Sequence, residues 1–107
     1  MNFVVIGRDS GDGSLRSQER AAHLAYVSGF QHLIVYGGPL IERGRMIGSV
    51  MVFDVADRET LDSYLAGDPY FTRPIFESVE IFESRWMVPE REPGALAAEA
   101  TRAKHGG

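Results

Sequence analysis

Apolar and polar positions change their period several times along the chain, and each change predicts an element. Asn2 to Gly7, NFVVIG, is a β-branched run closed by a glycine and predicts a first, central strand. The polar, glycine-rich RDSGDGS that follows reads as a loop. From Ser14 to about Phe30 the period becomes helical: Leu15, Ala22, Tyr26 and Phe30 fall within about 80° of one another at 100° per residue, with His23 on the same apolar face. Ser14 is the expected N-cap, and Gly29 weakens the last turn. His32 to Tyr36 predicts a second strand that Gly37-Gly38-Pro39 stops. A hairpin with a wide loop then leads to a third strand over Arg45–Val55, apolar on both parities. Asp57 caps a second helix, Glu59 suits its positive end, and Leu61, Tyr64 and Leu65 form its apolar stripe. Gly67 fits a left-handed position after that helix, and Pro69 cannot continue it. Ile75 to Glu83 completes the set as a fourth strand, with Ile75, Val79 and Ile81 on one parity and Phe76 and Phe82 on the other.

The order β-α-β-β-α-β predicts an α+β, ferredoxin-like domain: a four-stranded antiparallel sheet with both helices on one face. Nothing in such a chain except its tail is left to cover the other face, so a homodimer packed sheet against sheet is expected. The domain is expected to span residues 1–87. From Pro89 the composition shifts to an Ala-rich segment, and residues 88–107 are read as a tail that is either flexible or packed on a partner.

Composition narrows the function. At 107 residues and 44% hydrophobic, the chain suits one small core. Eleven basic against fifteen acidic side chains, with no basic stripe, exclude a nucleic-acid-binding surface. No stretch reaches the roughly 18 to 20 apolar residues of a membrane span, and the N-terminus lacks the pattern of a signal peptide. A soluble, cytoplasmic protein is expected. The absence of cysteine removes thiolate chemistry and Cys-ligated zinc.

Of three histidines, His105 lies in the tail and His32 begins a strand, whereas His23 sits on the core-facing side of a helix. An imidazole there needs a partner. One partner is Glu19, one turn earlier, which makes His23 a satisfied core residue. The other is Asp68, because the topology brings the end of helix two beside helix one. A carboxylate in that position fixes the tautomer and stabilises imidazolium, leaving the second ring nitrogen to move a proton. By itself Gly67-Asp68-Pro69-Tyr70-Phe71 is ordinary turn chemistry, and Tyr70 and Phe71 suit a core or interface. Gly11-Asp12-Gly13 is no dinucleotide fingerprint, no P-loop lysine occurs, and the histidines show no metal-ligand spacing.

The ordered set Arg20-Ala21-Ala22-His23-Leu24, Gly37-Gly38-Pro39-Leu40, Gly48-Ser49 and Asp68-Pro69-Tyr70 resembles the YciI-like family of the dimeric α/β-barrel superfamily over residues 1–87. The resemblance implies a homodimer whose sheets form a barrel, no cofactor, and a site in which His23 and Asp68 form the catalytic pair. Around that pair, Arg20, one turn before His23, is expected either to hold an anionic oxygen or to be a solvated helix residue, and Ser49, Tyr70 and Phe71 are expected to contact substrate. Two departures stand out: Phe71-Thr72-Arg73-Pro74 replaces small residues and suggests a bulky, cationic lip, and the C-terminal extension has no counterpart. Relatives eliminate halide from chlorinated aromatic diols, and the wider superfamily includes isomerases and monooxygenases. The expectation is a cofactor-independent lyase or isomerase that moves a proton on a small cyclic or aromatic molecule. The alternative is a non-catalytic dimeric module that binds a small molecule or a protein.

Overall fold

A computed structural model describes residues 1–106 of the chain. Its elements are β1 (Asn2–Asp9), α1 (Ser14–Ser28), β2 (Ile34–Glu42), β3 (Arg45–Asp54), α2 (Arg58–Leu65), α3 (Pro69–Thr72), β4 (Phe76–Ser84) and α4 (Ala95–Lys104). The four strands form one antiparallel sheet in the order β2-β3-β1-β4, which is the ferredoxin-like α+β fold. Alternation along β1 and β3 sends Phe3, Val5, Met51 and Phe53 into a core shared with Val55, Leu61 and Tyr64. The opposite parity lays Val4 beside Val52 and Phe82, and Ile6 beside Val50, on the face away from the helices.

Several boundaries differ from the sequence reading. Gly13, in the left-handed conformation, caps α1, and Ser14 is its first residue, with its backbone N–H held by Asp12 Oδ1 at 3.0 Å. His32 lies in a 3₁₀ turn over Gln31–Leu33 instead of opening the second strand. That strand also runs through Gly37-Gly38-Pro39 instead of stopping there. It is an edge strand, where a proline without an N–H and residues without side chains are tolerated. The hairpin to β3 is consequently tight, turning on Arg43 (φ 51) and Gly44 (φ 77), both in the left-handed region.

Gly67 is required by space, not by a left-handed backbone. A Cβ at this position would lie 2.5 Å from Tyr26 Oη, the hydroxyl that donates to the Tyr64 carbonyl at 2.8 Å. The close approach pins the end of α2 against α1. Similarly, a Cβ on Gly48 would stand 2.3 Å from the Gly7 carbonyl oxygen, so the backbone next to Ser49 packs directly on β1. Asp57 caps α2 as expected, accepting the Thr60 N–H at 2.9 Å.

Beyond β4 the chain continues as a mostly exposed segment. Arg91 pairs with Asp54 at 2.9 Å and lies 3.6 Å over the Trp86 ring, while Arg85 and Arg102 both meet Glu99. No residue of α4 is buried.

Candidate active site

The buried stripe of α1 is rotated from the one its apolar residues define. Ala22 is exposed, whereas Arg16 is buried and His23, Tyr26, Val27 and Phe30 are half-buried. At 100° per residue His23 falls near the centre of this stripe and Arg16, seven residues earlier, directly beside it. Two polar side chains occupy the core-facing side because each meets a buried partner from another element.

His23 meets Asp68. Its Nδ1 lies 2.8 Å from Asp68 Oδ1. The pairing with Glu19 does not form, because Glu19 accepts from Arg73 Nε at 2.8 Å. Asp68 is wholly buried, and three donors converge on its two oxygens: His23, the Tyr64 hydroxyl at 2.7 Å on Oδ2, and the Tyr70 backbone N–H at 3.0 Å on Oδ1. The last of these is a helix cap. Pro69 does more than end α2, since it opens the single turn α3 at a position where its missing N–H costs nothing, with Asp68 as N-cap. Local sequence thus fixes the carboxylate before helix one reaches it. An ionised Asp68 accepts from all three donors, which puts the His23 proton on Nδ1 and leaves Nε2 as the free ring nitrogen.

Tyr70 supplies the second constraint. Its ring stacks on His23 with centroids 3.7 Å apart and planes within 3°. Arg16 also lies over the Tyr70 ring, its Cζ 4.8 Å from the centroid. Arg16 donates from Nε and Nη2 to the two Asp9 oxygens at 2.8 and 2.9 Å, and from Nη2 to Ser49 Oγ at 2.7 Å. Burial alone lowers the affinity of this guanidinium for its proton, but the bidentate bond to Asp9 outweighs that effect and the net shift is upward. Burial, reinforced by the hydrogen bond to Asp68, also pushes the Tyr64 hydroxyl far above the usual tyrosine value.

A cavity of about 410 Å³ opens between α1 and the β2 edge. His23, Arg16, Arg20, Ser49 and Tyr70 line it on one side, with apolar walls from Leu24, Val27, Ile34 and Met51. The volume lies within the ordinary range for small-molecule sites. Phe71 is not among the lining residues; it packs against Phe76 with centroids 5.2 Å apart. Arg73 is likewise absent, taken up by Glu19, so no cationic lip forms there. Sequence reasoning missed Arg16, Asp9 and Tyr64. The i, i+7 spacing of Arg16 and His23 was the available signal for the first of them.

The fold and this site define a small ferredoxin-like α+β protein with a histidine–carboxylate pair at the wall of a largely apolar cavity. The chain belongs to the family of the YCII-related domain, whose model matches residues 1–85. A comparison with curated proteins finds no match. Among solved structures, the 5-chloro-2-hydroxyhydroquinone dehydrochlorinase TftG from Burkholderia phenoliruptrix AC1100, in complex with 2,5-dihydroxybenzoquinone, is 26% identical with a TM-score of 0.71, over 81% of this chain and 94% of that one. Rv0793 from Mycobacterium tuberculosis is 15% identical with a TM-score of 0.55, covering 82% of this chain and 99% of its own. The cofactor-independent oxygenase SnoaB from Streptomyces nogalater is 22% identical with a TM-score of 0.50, covering 83% and 96% respectively. The last two likenesses show the fold alone.

Proposed function

We propose that this protein is a cofactor-independent enzyme that moves a proton on a small cyclic or aromatic molecule, as a lyase or isomerase, with His23 as the acid/base and Asp68 as its orienting partner. The observation that carries this reading is the 2.8 Å bond from His23 Nδ1 to a fully buried carboxylate on a ring that also lines the cavity. With the Nδ1 proton committed to Asp68, Nε2 takes a proton from a bound molecule, and Asp68 stabilises the imidazolium that results. In a lyase the freed electron pair forms a double bond as a leaving group departs with its own pair. An isomerase returns the proton to a different atom. The likeness to a dehydrochlorinase supports the lyase form. Tyr70 holds the imidazole plane, and Arg20 and Ser49 contact the substrate.

The assembly is proposed to be a homodimer, with Val4, Ile6, Val50, Val52 and Phe82 packed against their copies. Phe82 is 51% exposed in the single chain, which favours a covered face. Light scattering should then give twice the 11.8 kDa chain mass, and Phe82→Glu should halve it.

The test of the catalytic reading is a screen of hydroxylated and halogenated rings for turnover, followed by His23→Asn. An asparagine amide keeps a donor near the Nδ1 position for Asp68 and removes Nε2. Loss of turnover by at least about 100-fold with little change in thermal midpoint is expected for a general acid/base. Turnover that survives in His23→Asn, or no turnover in the unaltered protein across the screen, contradicts it.

A further inference from the structure

The two arginines at the cavity differ in what pairs with them. Arg16 is balanced by Asp9, both with side chains buried to 4% and 6% exposure, and His23 faces Asp68. Arg20 also lines the cavity, half-buried, and its recorded polar contact is a 3.7 Å approach of Nη1 to Met46 Sδ. Arg20 forms no ion pair among the described residues, and no Asp or Glu lines the cavity. Arg20 therefore presents a guanidinium with no carboxylate in contact with it beside apolar walls, where an anionic partner is worth more than in open water.

Ser49 adds a directed donor. It is 5% exposed and lines the same cavity. Its Oγ already accepts from Arg16 Nη2 at 2.7 Å, and its own proton has no acceptor among the described residues. A hydroxyl whose oxygen is occupied by a cationic donor turns its hydrogen toward an outside acceptor. Arg16 is thus a positioning residue: it fixes Ser49 and is itself neutralised by Asp9.

Resting on the catalytic reading above, we infer that the cavity selects an anionic ring compound, with Arg20 as the charge that chooses it and the Ser49 hydroxyl as a second donor to the anionic group. The apolar body of the ligand lies against Val27, Ile34 and Met51, and the size suits one substituted ring or a small bicycle, since a dry cavity of about 150 Å³ already admits benzene. A neutral isostere leaves Arg20 without an anionic partner.

The test is equilibrium binding at one fixed pH with two isosteric pairs, benzoate against benzamide and salicylate against salicylamide. The unaltered protein should bind each anion about tenfold or more tightly than its amide, as for a charge-assisted hydrogen bond in a partly buried site. Arg20→Gln should bring the anions to the level of the amides. Arg20→Lys should keep most of the preference, and Ser49→Ala should remove a smaller part, about threefold. Thermal midpoints of the variants establish that they fold. Equal affinity within both pairs, no binding of either anion, or Arg20→Gln with undiminished preference overturns the inference. Because binding is read without turnover, a failure of the anion preference is distinguishable from a failure of the His23→Asn experiment.

Discussion

In the body of the protein, Arg16 is locked to Asp9 and His23 to Asp68, with side chains between 0% and 11% exposed. At the far end of the chain, Arg91 meets Asp54 and Arg102 meets Glu99 with side chains between 25% and 60% exposed. Both regions use the same residue types at similar distances. The buried network holds its geometry because every alternative is a desolvated, unpaired charge, whereas the outer pairs exchange freely with solvent. Only the first can hold an imidazole in one tautomer against a ligand. The outer one attaches α4 to the body with little energy.

The sharpest way to break this contrast is to remove one buried partner. Asp9→Ala should cost about 3–5 kcal/mol by leaving Arg16 uncompensated, measured as the shift of the denaturant midpoint. A loss under about 1 kcal/mol would place that pair in the same class as the outer ones.

Tyr64→Phe should cost about 1.5–3 kcal/mol, because Asp68 Oδ2 loses a buried charge-assisted donor. It should also flatten the alkaline limb of stability. The Tyr64 hydroxyl is pushed upward in the folded state by burial and by Asp68, so the folded chain keeps its proton when the unfolded chain releases it. That contribution is fully present below the ordinary tyrosine value of about 10 and is lost as pH rises above it. Unchanged alkaline unfolding in the variant would contradict the assignment.

At a helix end, Asp57→Ala should cost about 1 kcal/mol through loss of the cap on Thr60. Smallest of all, Arg91→Ala should stay within about 1 kcal/mol, as befits a pair with side chains 50% and 41% exposed. A loss of several kcal/mol there would mean that the C-terminal segment is part of the core structure.

Much of this architecture could be read from periodicity. The element order, the Asp57 cap and the closeness of helix one to the end of helix two all follow from local patterns placed in a βαββαβ frame. The errors have a common cause, which is that a local signal was weighed without its tertiary setting. Gly37-Gly38-Pro39 is a stop in most strands and acceptable at an edge. Gly67 looks like a left-handed cap and is in fact the clearance for Tyr26. Arg16 and Asp9 carry no local signal as a pair, and only the fold brings them to one another. His23 escaped that fate because its apolar neighbours are on both sides of it in projection. Phe71, expected to contact substrate with Tyr70, packs on Phe76 instead, since consecutive residues on a helical turn point about 100° apart.

The most direct test of the central claim, a histidine presenting Nε2 to a bound ring, is a high-resolution crystal structure soaked with a mixed set of small phenols, lactones and carboxylates. The account predicts density in the cavity with a polar ligand atom within hydrogen-bond distance of His23 Nε2 while Nδ1 stays on Asp68. Ligand density confined to other surfaces, or a bound ligand with His23 swung off Asp68, would contradict it.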